Sequence, residues 1–145
     1  MSRLAAPMGL PASQPVPSHF QTFLAFDYGQ KRTGVASGNR LLRTATPQAT
    51  IRVEGEARFS QIEARIREWQ PDALVVGVPF HPDGAPHDNT RAAQRFARQL
   101  NGRFHLNVYQ VDERYSTTEA LASGARDADA ASACIILEQF LRSLP

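Results

Sequence analysis

Three carboxylates in this chain stand where carboxylates do chemistry. Asp27 ends the apolar run Phe23-Leu24-Ala25-Phe26, Glu113 sits in Asp112-Glu113-Arg114 after a second apolar run, and Asp129 opens a helical pattern. Each falls at the end of a regular element, and the three are far apart in sequence. Acids of this kind that converge can hold a hard divalent cation such as Mg2+ or Mn2+. That cation could polarise a phosphodiester and activate water. A charge at the end of a strand like Phe23–Tyr28 must reach solvent or meet a cation, because burying it unpaired costs several kcal/mol. It could also serve only to bond the Gly29 turn.

The other two acids have equally plain alternatives. Asp112 and Glu113 are adjacent on a strand, so they point to opposite faces and at most one can share a site with Asp27. The cluster could be a surface ion pair. Asp129 could be nothing more than a helix N-cap, and Asp127 competes with it for that place. Around the acids, Lys31, Arg32 and Arg114 could form a phosphate-binding rim. Arg91, Arg95 and Arg98 recur one helical turn apart and could extend that rim along a polymer, or form a solvated helix face. His81 or His87 could assist proton transfer from a loop, although neither has ligand spacing. Ser116, Thr117 and Thr118 read as a helix cap.

Residue alternation and helical spacing set the elements that must position these groups. Phe23–Tyr28 and Thr33–Ser37 read as strands of a hairpin, and Leu41–Ile51 as a third strand interrupted near Pro47. Phe59, Ile62, Ile66 and Trp69 mark a helix from Glu56 to Gln70, stopped by Pro71. Ala73–Val78 is a continuous apolar run suited to a central strand covered on both faces. A loop follows, then a helix capped at Asn89 or Thr90 that reaches about Leu100 and is expected to end at Gly102. Asn107–Val111 is the last strand. A short helix is expected from Ser116 to about Ser123, and a final helix from Asp129 to Leu141. This order implies a mixed five-stranded α/β sheet flanked by helices, which describes an RNase H-like fold.

Composition narrows the classes. The 145 residues suffice for one domain with a sizeable core. The Pro-, Ser-, Ala- and Gln-rich residues 1–19 read as a disordered tail, with the folded domain at 20–145. No apolar run approaches the roughly 18 residues of a membrane span, and prolines interrupt the N-terminal stretch where a signal peptide would need an apolar core. A cytoplasmic location fits. The single cysteine, Cys134, excludes an internal disulfide and reads as core filler. A net charge of +2 is compatible with a nucleic-acid partner without demanding one.

The motifs in this order resemble the YqgF family of RuvC-like proteins, also called pre-16S rRNA nucleases or Holliday junction resolvase-like proteins. The matching residues are Phe26-Asp27-Tyr28-Gly29-x-Lys31-Arg32-x-Gly34-Val35-Ala36, then Val76-Gly77-Val78-Pro79 with Asp83-Gly84. Asp112-Glu113-Arg114-x-Ser116-Thr117 follows, and then Asp129-x-Ala131-Ser132-Ala133 with Ile135-Ile136-Leu137-Glu138. The resemblance implies an RNase H-like, Mg2+- or Mn2+-dependent endonuclease with Asp27, Glu113 and Asp129 as catalytic metal ligands. It singles out Glu113 over Asp112. It implies a nucleic-acid substrate, precursor 16S rRNA or branched DNA, with ribosomal precursor particles as partners and either a monomer or a homodimer. Between Thr118 and Asp129 the chain is shorter than is usual for the family, so the register of Asp129 against Asp127 stays open.

Two other classes compete. One is a non-catalytic nucleic-acid-binding factor in ribosome assembly or transcription. The other is a phosphate-binding ATPase of the actin-hexokinase kind, whose two-domain architecture does not fit 145 residues.

Overall fold

A computed structural model of the chain describes residues 15–81, 83–86, 88–113 and 127–145. In chain order its elements are β1 (Thr22–Tyr28), β2 (Thr33–Asn39), β3 (Ala45–Ile51), α1 (Gly55–Trp69), β4 (Ala73–Pro79), α2 (Thr90–Phe104), β5 (Asn107–Glu113) and α3 (Ala128–Arg142). The five strands form one sheet in the order β3-β2-β1-β4-β5. β2 runs antiparallel to β1 and β3, while β1, β4 and β5 run parallel. The mixed five-stranded sheet expected from the sequence is therefore present.

Strand alternation sorts the core into two layers. On one face Phe23, Ala25, Val75 and Tyr109 pack against Ile136 and Phe140 of α3. On the other, Leu24, Phe26, Val76 and Val108 pack against Ile62 of α1 and Phe96 of α2. Burying each of the large side chains stabilises the fold by roughly 1.5–3 kcal/mol. β1 and β4 are covered on both faces, which is why they read as unbroken apolar runs.

Three boundaries differ from the sequence reading. α2 does not stop at Gly102 but runs to Phe104, because Phe104 packs against the core, and the chain turns at His105 (φ 57°). β3 begins only at Ala45, since residues 39–43 form a tight turn in which the Asn39 Oδ1 accepts from the Leu42 N–H (2.8 Å). Pro47 is tolerated because β3 is an edge strand. β5 runs on to Glu113, which carries strand alternation through both acids. Val16 and Phe20 lie against the α3-side core, and the Arg40 Nη1 donates to the Pro17 carbonyl (2.9 Å), so the stretch expected as a tail meets the domain before residue 20. The helix expected at Ser116–Ser123 lies outside the described residues, as do Arg114 and His87.

Candidate active site

The register of the sheet builds the site around Asp27. Its strand partners are Gly34 on β2 and Gly77 on β4, so a carboxylate is flanked on both sides by residues without side chains. Paired residues in a sheet share a face. This row lies on the α3 side, since Asp27 shares its strand face with Phe23 and Ala25. A Cβ on Gly34 would lie 1.9 Å from the Asp129 carbonyl oxygen. One on Gly77 would lie 2.6 Å from Glu113 Oε2 and 2.3 Å from Ile136 Cδ1. The Asp27-x-Gly29 pattern with Gly34 suggests a close approach of phosphate when read as sequence. At Gly34 what approaches is the backbone of the first turn of α3.

β5 settles which of its two acids faces this notch. Pro79 pairs with Glu113, and Gly77 with Val111, so Glu113 lies on the Asp27 face and Asp112 on the other. Glu113 is 7% exposed, whereas Asp112 is exposed. The last helix separates the other competing pair. Asp127 is the N-cap: its side chain accepts from the Ala130 N–H (3.2 Å) and from the Thr50 hydroxyl (2.7 Å), with Arg52 at 3.9 Å. Burial pushes its acidity one way, but Thr50, Ala130 and Arg52 outweigh it and hold the carboxyl below the usual range. Asp129 is therefore not the cap. It stands in the first turn of α3, bonded to the Arg32 Nε at 3.0 Å.

The electrostatics record the convergence. Burial, then the charge of Glu113, then that of Asp129 push the Asp27 carboxyl well above its usual range. Two carboxylates thus act on Asp27, and Arg32 pairs with one of them, Asp129. As the side chains are placed, no three His, Cys, Asp or Glu groups among the described residues stand close enough to share one ion.

The remaining predicted residues fall at two places. Lys31 and Arg32 are exposed in the β1–β2 turn, closed by a bond from the Gly29 N–H to the Arg32 carbonyl (2.8 Å). Arg91 and Arg95 lie on α2, on the opposite side of the sheet from α3. Sequence reasoning passed over Arg58. This arginine of α1 is 4% exposed, sits over the Tyr28 ring (4.6 Å) and donates to the carbonyls of Gln30 and Val53. It ties down the turn that presents Lys31 and Arg32. An arginine on an otherwise polar helix stretch gives no local signal of burial. Cys134, on α3, is half-buried, and burial with the nearby Glu138 pushes its thiol up to about 11, as suits packing rather than nucleophilic attack.

The fold and the acid row define a class, an RNase H-like α/β domain of the RuvC type. Among solved structures, Thermus thermophilus RuvC in complex with a Holliday junction substrate superposes with a TM-score of 0.51 at 15% identity, over 84% of this chain and 94% of that one. That likeness speaks for the fold alone. The model of the family described as RuvX, Holliday junction resolvase, matches residues 21–143. A Polaromonas sp. (strain JS666) protein named "Putative pre-16S rRNA nuclease" is 72% identical over 138 residues, 95% of this chain and 100% of its own length. One of the same name from Albidiferax ferrireducens is 71% identical over 129 residues, covering 89% and 83%. The chain belongs to the RuvX family, a family of nucleases, as its motifs led us to expect.

Proposed function

We propose that this chain is a divalent-metal-dependent endonuclease for structured nucleic acid, and that its substrate is the 5′ end of precursor 16S rRNA, as the names of its relatives suggest. The observation that carries the reading is the half-buried Asp27 carboxyl, flanked in register by Gly34 and Gly77 and pushed well above its usual range by desolvation and then by the charges of Glu113 and Asp129. The donor set suits a hard cation: every group is a carboxylate oxygen donor, and the cluster is short of positive charge. Asp27, Glu113 and Asp129 would hold Mg2+ or Mn2+. Closing on one ion would draw Asp129 from Arg32, since as placed the three do not share one. When bound, the metal would polarise the scissile phosphate and lower the pKa of the attacking water.

The protein's own groups do the rest. Gly34 and Gly77 let the first turn of α3 and the Glu113 carboxylate come up on either side of Asp27. Arg32, released from Asp129, would turn to the non-bridging phosphate oxygens and offset the charge that grows on them during attack. Lys31 would fix the neighbouring phosphate as a point charge. Arg114 is carried from the motif in the same role and lies outside the described residues.

Side-by-side assays on precursor 16S rRNA and a four-way DNA junction, with Mg2+ and with Mn2+, test this. Asp27→Asn is expected to lower metal-dependent cleavage by at least 100-fold, the scale of losing a group that acts in the transition state. Equal cleavage by wild type and variant, in nuclease-free preparations, would sink the assignment. Cleavage of the junction alone would move the substrate to branched DNA, a reaction that needs two symmetry-related sites and hence a homodimer.

A further inference from the structure

The described basic side chains divide sharply by how they are engaged. Arg40, Arg43, Arg58 and Arg65 donate to backbone carbonyls. Arg32, Arg52, Arg67, Arg103 and Arg142 face carboxylates. Four remain with no side-chain hydrogen bond or ion pair among the described residues: Lys31 in the β1–β2 turn, and Arg91, Arg95 and Arg98 on α2. The three arginines are exposed and recur on one side of the helix, opposite the buried Ala93, Phe96, Ala97 and Leu100. At 1.5 Å per residue they span about 10 Å of helix. No Asp or Glu occurs anywhere in α2 to neutralise them. The fourth arginine of the helix shows the contrast. Arg103 is held by Glu56 and lies over the Phe59 ring at 3.9 Å, a structural clamp between α2 and α1.

The stripe also starts at the right place. The Thr90 hydroxyl, at the first position of α2, donates to the carbonyl of Pro79, and Pro79 is the strand partner of Glu113. α2 therefore begins at the end of the sheet where the acids lie, and the arginines lead away from it along the outer face. A row of unpaired, solvated guanidiniums gains little within the protein. It gains strongly by displacing condensed counterions from a polyanion.

We propose that Arg91, Arg95 and Arg98 form a second contact surface that binds the phosphodiester backbone of the substrate's helical arm, on the side of the sheet away from α3. This rests on the reading of the chain as a nucleic-acid enzyme and extends it to where the substrate goes after it leaves the acids. Contacts to phosphate position a helix without reading its sequence. The surface thus fixes how the substrate lies across the notch rather than which base is cut.

Salt dependence tests it. The full-length chain carrying Asp27→Asn, which cannot process its ligand, is titrated by fluorescence anisotropy against a labelled RNA hairpin and a labelled four-way DNA junction, from 50 to 300 mM KCl. Each lost phosphate contact should reduce the slope of log K against log salt by about 0.7–0.9. The variant R91Q/R95Q/R98Q should therefore lose about 2 to 3 from the slope and bind roughly 10-fold or more weakly at low salt. R91Q and R98Q singly should each lose about 1, and R95K should keep the parent slope. An unchanged slope and affinity in a triple variant with parental circular dichroism overturns the proposal, as does binding of neither probe by the parent. The single variants read the same slope if the triple variant does not fold. Loss of slope on the RNA only, or on the junction only, supports the surface and assigns the arm to that polymer. A chain that cleaves but shows no change in slope sinks this surface alone. One with the expected slopes that never cleaves sinks the nuclease reading and leaves the surface standing.

Discussion

Asp27 is placed against its own stability. Its half-buried carboxyl is partly desolvated and feels the charges of two other acids, so the folded chain disfavours the charge that metal binding would need. The sign of the consequence is fixed. With a folded pKa above the unfolded value of about 3.9, the penalty is absent below that value. It grows as pH rises toward the folded pKa, because the unfolded chain releases the proton first. Asp27→Asn should accordingly stabilise the metal-free protein at pH 7–8, by on the order of 1 kcal/mol or a few degrees in Tm, with the gain vanishing near pH 4. Urea denaturation at pH 4, 6 and 8 measures this, and equal stability of wild type and variant at every pH would show that the site stores no such strain. Residue-level chemistry was legible at Asp27, whose charge at the end of an apolar strand is anomalous in sequence. It was illegible at Asp127 and Asp129, two acids of the same type two residues apart. Only the bonds from Ala130 and Thr50 make the first a cap and free the second.

At the level of elements, two glycines on neighbouring strands decide how close the acids come. Gly34 lets α3 settle onto β2, with the Asp129 carbonyl where any side chain would stand. Gly34→Ala must push helix and strand apart, which costs about 1–3 kcal/mol as overpacking does and moves Asp129 away from Asp27. Denaturation should show the stability loss, and the pKa of Asp27, followed by NMR, should fall toward its usual range as one opposing charge retreats. A variant with an undisturbed Asp27 titration would mean that α3 does not set the site. The strands and helices themselves were readable from alternation and spacing. The boundaries that moved did so for tertiary reasons: α2 runs two residues past Gly102 because Phe104 packs on the core, and the tight turn at 39–43 shortens β3.

For the whole molecule, the acid cluster should couple metal binding to folding. An ion held by acids on β1, β5 and α3 of the native fold and by none of the unfolded chain would stabilise by about 2.7 kcal/mol at 100 times its Kd. Adding Mn2+ should raise the Tm of the wild-type chain and leave that of Asp27→Asn almost unmoved. Equal shifts in both proteins would place the ion elsewhere. The same architecture separates two surfaces, the acids opening on the α3 side and the unpaired arginines of α2 on the other. Among the described residues no helix is long and apolar enough to cross a membrane.

Local chemistry is written in the chain. The apolar strands, the helix faces, the family motifs and the candidate acids follow from residue type and spacing, because backbone periodicity and side-chain polarity act over a few residues. In the sequence only the family pattern separates Glu113 from Asp112; the strand register puts Glu113 and not Asp112 on the face of Asp27. What only the tertiary structure decided depends on distance between remote segments. The Gly34–Asp27–Gly77 row, the packing of Asp129 against β2, the burial of Arg58 behind the turn and the isolation of three arginines on α2 arise from pairing across the sheet. No window of sequence contains both members of those pairs.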